Sequence, residues 1–86
     1  MEVEQVEQTT YEWFSRDLTP HTATICETDL RGNQKKVDLN VEESKLLQTI
    51  LSALAHRLDA RMFGPTKRAV LAGFFTYVAL RARKAQ

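Results

Sequence analysis

Hydrophobic residues along the chain fall into stretches of different period. In residues 2–18, Val3, Val6, Thr10 and Trp13 recur at spacings of three and four, with Tyr11, Phe14 and Leu18 beside them. Glu2, Glu4 and Glu7 stand where a helix dipole is positive, so this pattern predicts an amphipathic N-terminal helix. Its first turns are strongly polar; residues 1–10 are expected to fray, leaving an ordered part centred on Tyr11 to Leu18. Thr19-Pro20 ends it, because the residue before a proline is pushed out of the helical region.

From Thr22 to Leu30 the chain is rich in Thr and Ile, and Lys35 to Leu39 alternates polar and apolar side chains. Both stretches fit short strands. Arg31-Gly32-Asn33-Gln34 supplies turn residues between them, which predicts an antiparallel hairpin. A hairpin alone is marginal in water, so it must pack on a helix or extend its sheet.

Asn40-Val41-Glu42-Glu43 places a capping residue three positions before a Glu, a helix-start signature that satisfies two unpaired amide donors. Leu47, Ile50 or Leu51, Leu54 and Leu58 then follow the helical period, flanked by Leu46, Ala53 and Met62, and predict a helix over 41–62. Phe63-Gly64-Pro65-Thr66 is expected to break the chain, with Gly64 or Thr66 as a cap. The last helix is expected over 67–84. Thr76 is the one polar side chain between Ala69 and Leu80. That run is too short for a membrane span, which needs about 20 residues. A helix apolar on nearly every side is buried on nearly every side, and a small chain has little with which to bury it.

These elements give an α+β fold: an N-terminal helix, a two-stranded antiparallel β-hairpin, then an antiparallel pair of long helices (α-β-β-α-α). The 86 residues suit a single domain, 1–86. A composition of 43% hydrophobic and 27% charged residues excludes collagen-like, low-complexity and wholly disordered chains. One cysteine, Cys26, forms no internal disulfide, and no charged-then-apolar leader opens the chain. A cytoplasmic setting is therefore expected.

The formal net charge of +1 conceals a polarity: residues 1–30 carry −6, residues 31–55 carry +1 and residues 56–86 carry +6. Such asymmetry suits a nucleic-acid face, or two halves that attract each other within or between chains. With acid and base so balanced, mutual attraction or plain solvation is the simpler expectation.

Catalytic and ligand-binding patterns are sparse. His21, His56 and Cys26 stand at no zinc-ligand spacing, so no metal is expected. His21 reads as a turn residue, His56 as a partly exposed histidine and Cys26 as a small buried hydrophobe. Glu27 and Asp29 on one strand face are better explained by solvation than by a glycosidase-like pair. Gly32, Gly64 and Gly73 form no phosphate-cradle pattern, and no cofactor or small-molecule substrate is expected. Gly64-Pro65-Thr66-Lys67-Arg68 puts two cations beside free amides at an expected helix start, a geometry that also serves as an ordinary capped turn.

Residues 35–80, with alternating Lys35, Val37 and Leu39, a capped helix, and Gly64-Pro65-Thr66-Lys67 opening an apolar second helix, resemble a ribbon-helix-helix DNA-binding module. In that family two chains pair their strands into a ribbon that enters the major groove, and the second helix grips phosphate. The resemblance implies a transcriptional regulator in which Lys36 and Asp38, or Lys35 and Val37, face the bases and Thr66, Lys67 and Arg68 the backbone. The sequence departs from the family in its longer first helix and in a strand expected to pair within the chain.

The reading preferred on the residues themselves is a non-enzymatic protein–protein interaction module, acting as an adaptor, an assembly factor or an inhibitor of a larger partner. Its expected surface is Val70, Gly73, Phe74, Tyr77 and Val78, rimmed by Arg81 and Arg83, because aromatic and Arg residues dominate interface energetics. Trp13 and Phe14 form a second candidate patch. The partner is another protein or a second copy, with no membrane; DNA binding through Lys35, Lys36, Thr66, Lys67 and Arg68 is the alternative.

Overall fold

A computed structural model describes residues 9–15 and 22–84. The element order is β1 (Thr10–Ser15), β2 (Ala23–Thr28), β3 (Gln34–Leu39), α1 (Val41–Arg57) and α2 (Ala60–Lys84). The strands form one antiparallel sheet in the order β1-β2-β3.

The mixed α+β class holds, but the expected N-terminal helix and two-stranded hairpin do not. Residues 10–15 form a strand, and the sheet has three strands. Thr10, Trp13 and Phe14 satisfy helical spacing over a short window, yet Thr, Tyr, Trp and Phe are all strand formers. Pairing with β2 decides between the two: Tyr11 lies opposite Glu27 and Trp13 opposite Ile25. Alternation then turns Tyr11 and Trp13 toward the core and Glu12 and Phe14 away from it. The rest of that expected helix, residues 2–8 and 16–18, lies outside the described residues, as do Thr19-Pro20, His21 and most of the segment expected to fray.

The turn between β2 and β3 is built around Asp29. Its carboxylate accepts hydrogen bonds from the Arg31 and Asn33 amides, both at 2.9 Å. The Gly32 amide donates to the Asp29 carbonyl, and Gly32 sits at φ +86°, a left-handed conformation that favours glycine. Slight desolvation pushes the Asp29 carboxyl upward, but those amide bonds, the Asn33 side chain and the Lys35 charge outweigh it and hold its pKa below the usual value.

α1 begins with the expected capping box. The Asn40 side chain accepts from the Glu43 amide at 2.8 Å, and the Glu43 carboxylate accepts from the Asn40 amide at 3.0 Å. The helix stops at Arg57, short of Met62, and α2 starts at Ala60 instead of Lys67. Asp59 accounts for the shift: its side chain accepts from the Met62 amide at 3.0 Å and its carbonyl from the Phe63 amide at 2.9 Å, which opens the second helix. Pro65 therefore lies inside α2, where it costs one backbone hydrogen bond. Gly64 lacks the Cβ that would crowd the proline ring, and the helix runs through.

Both helices lie on one face of the sheet. The core joins Ile25 and Leu39 of the sheet to Leu47 and Leu51 of α1 and to Leu71, Phe75 and Val78 of α2. Tyr11 meets Phe75 edge-on, with ring centroids 5.9 Å apart. Arg68, one stripe position back along α2, donates to the Thr9 carbonyl at 2.9 Å and stacks over the Tyr11 ring. α1 and α2 are joined through Leu58–Asp59 at one end and tied at the other by an ion pair between Arg81 and Glu43, so they run antiparallel.

The revised helix start is testable by two cap substitutions. Asp59→Ala is expected to cost about 1 kcal/mol in urea unfolding. Thr66→Ala, in the second turn of a helix already begun, is expected to cost less than that; the reverse order would return the helix start to residue 67.

Candidate functional site

α2 has two apolar sides and the sheet covers one. Leu71, Phe75 and Val78, at helical spacing, enter the core, while Gly73, Thr76, Tyr77 and Leu80 stay exposed on other sides of the same helix. α1 repeats this on a smaller scale: Leu47 and Leu51 are buried, whereas Leu46 is 54% exposed and Ile50 half-buried.

Between these leftover stripes runs an open groove of about 800 Å³. Leu46 and Ile50 form its α1 wall, and Val70, Gly73, Phe74 and Tyr77 its α2 wall. Tyr77 is 60% exposed, and beyond it Leu80, Arg81 and Arg83 continue the surface as a second cleft. At the end nearest the start of α1, Glu42 and Glu43 stand on one rim and Arg81 on the other. Glu43 is already engaged, since one carboxylate oxygen closes the capping box and the other pairs with Arg81. Arg81 also lies over the Tyr77 ring, 6.0 Å from its centroid, which fixes the ring at the groove's mouth.

Val70, Gly73, Phe74, Tyr77 and Arg81 thus come together on one surface, with Arg83 next to it. Val78 does not join them; at 4% exposure it belongs to the core. Trp13 and Phe14 make no single patch, because neighbouring strand residues point to opposite faces: Trp13 packs toward the core and Phe14 lies 45% exposed on the far side. Leu46, Ile50 and Glu42 belong to the groove and were not singled out from the sequence. Their signal was an apolar set on α1 wider than one stripe, with 46 and 50 flanking 47 and 51.

The residues of the DNA-binding alternative are spread over different surfaces. Lys35 and Lys36 alternate across β3; the Tyr11–Glu27–Lys35 row faces the helices and the Glu12–Cys26–Lys36 row faces away. Thr66, Lys67 and Arg68 stand in the second turn of α2 and beyond, past the free amides of its start at Ala60. Lys67 lies over the Phe63 ring and Arg68 over Tyr11.

Other polar groups are structurally committed. The Tyr11 hydroxyl donates to Glu27 at 2.8 Å. Burial, then the bonded and charged Glu27 carboxylate, hold its pKa above the ordinary value, against a smaller opposing pull from Arg68. Glu27 and Asp29 form no carboxylate pair, since Asp29 is used by its own turn. Cys26 is buried on the sheet face away from the helices, whereas His56 is exposed on α1. Among the described residues no group of His, Cys, Asp and Glu could hold a metal ion, and no helix is long and apolar enough to cross a membrane.

Comparisons with protein-family models, with curated proteins and with solved structures find no match to this chain.

Gly73 lies mid-helix on the groove wall, and a Cβ added there meets nothing within 4 Å. Gly73→Ala is expected to raise the stability of the isolated chain by about 0.5–1 kcal/mol in urea unfolding, the usual gain from replacing a helical glycine. A loss would place Gly73 in a tight intrachain contact.

Proposed function

We propose that this chain is a non-enzymatic protein–protein interaction module, an adaptor, assembly factor or inhibitor that binds its partner through the groove between α1 and α2. The observation that carries the reading is the apolar surface in which exposed Leu46, Tyr77 and Leu80 are joined across the groove by half-buried Ile50, Val70 and Phe74. Single exposed apolar residues are ordinary, whereas a contiguous patch edged by charges marks a contact surface. Its composition fits, with an aromatic at the mouth and arginines at the rim.

The groove also suits a helix more than an extended peptide. It is walled by two helices, and Gly73 and Ala69, one turn apart and both exposed, leave a low stretch of wall that an incoming backbone could approach closely. The second reading, DNA binding through β3 and Thr66–Arg68, has no comparable convergence of residues behind it.

Site-specific photo-cross-linking in the native host tests the reading. A photoreactive phenylalanine in place of Tyr77 is expected to capture protein, and the same residue in place of Lys36, on the far face of the sheet, to capture far less. Equal capture at the two positions, or none at Tyr77, would remove the groove as the binding surface.

A further inference from the structure

Resting on the groove as a protein-binding surface, we propose that its occupant is a second copy of this chain, the two helix pairs closing into a four-helix bundle about a two-fold axis that runs along the groove. The placement of charge selects this occupant. At one end of the groove the α1 rim carries Glu42 and Glu43, and the α2 side carries Arg81 with Arg83 beyond it. Glu43 and Arg81 neutralise each other within the chain. Glu42 and Arg83 are exposed, and among the described residues neither has an ion pair.

A two-fold rotation about the groove's own direction keeps the two ends where they are and exchanges the α1 and α2 sides. Glu42 of each copy then faces Arg83 of the other, and the surface is complementary to itself, as an isologous contact requires. A two-fold axis across the groove would instead lay α1 on α1 and α2 on α2 with their ends exchanged, setting Arg83 of each copy toward the Lys67 end of the other α2, a like-charge contact. A foreign helix of one charge sign would pair with only one rim. The same rotation lays α1 of the second copy over α2 of the first. There Gly73 leaves room for the half-buried Ile50 of the incoming helix, and the exposed Leu46 comes level with Tyr77 and Leu80. Each helix becomes flanked by antiparallel neighbours, the usual arrangement of a four-helix bundle.

Sedimentation velocity of the full chain over a wide concentration range at low salt tests this. Wild type is expected to pass from monomer to dimer. Glu42→Arg and Arg83→Glu should each weaken the dimer by about fivefold or more, because two-fold symmetry enters each exposed pair twice. The double variant, which swaps the charges, should recover most of the wild-type affinity. A chain monomeric at every concentration, or a dimer indifferent to all three variants, would overturn the proposal. In that event, cross-linking from position 77 to a different protein would leave the interaction reading standing, whereas no cross-linking there would remove both.

Discussion

Burial of one face of a three-stranded sheet by a single stripe of α2 is the constraint from which the rest of this structure follows. Ile25 and Leu39 need apolar cover, and Leu71, Phe75 and Val78 supply it with help from Leu47 and Leu51. A helix presents only part of its circumference to a flat sheet, so an α2 that is apolar on further sides must leave Tyr77 and Leu80 outside. The groove is the remainder of that geometry. In a chain this small, with a correspondingly modest core, the residues that find no cover within the chain collect along that groove.

Glu43 links the local and the tertiary levels. As the third residue of α1 it completes the capping box with Asn40, and through its second oxygen it pairs with Arg81 near the far end of α2. The cap fixes where α1 begins, and the ion pair fixes which part of α2 lies beside that beginning. An exposed ion pair contributes little to stability by itself, on the order of 0–1 kcal/mol. Its role is positional: it holds Arg81 over Tyr77 and sets the rim of the groove.

Much of this architecture is legible in the sequence, unevenly and for physical reasons. The Asn40–Glu43 box is unambiguous because both halves of a reciprocal hydrogen-bond pair are written three residues apart. The turn at Gly32 is legible because few residues take a left-handed conformation. β1 is not, since Tyr11, Trp13 and Phe14 satisfy both a two-residue and a helical period over so short a window, and only pairing with β2 separates them. The start of α2 was hidden by Gly64-Pro65, a strong breaking signal overridden by the Asp59 cap five residues earlier. The groove was half visible: the excess of apolar residues on α2 announces a second surface, but which residues face the sheet depends on how the helix is rotated about its axis. Val78 and Tyr77, adjacent in sequence, fall on opposite sides of that division.

The central claim is that the apolar residues of the two helices divide into a core set and a surface set. It is tested most directly by the same deletion made once in each. Leu71 is fully buried and Leu46 is 54% exposed. In urea unfolding at concentrations where the chain is monomeric, Leu71→Ala is expected to cost about 2–5 kcal/mol. Leu46→Ala should stay within about 0.5 kcal/mol of wild type, as surface substitutions do. Equal losses, or a larger loss at Leu46, would contradict the division and with it the groove.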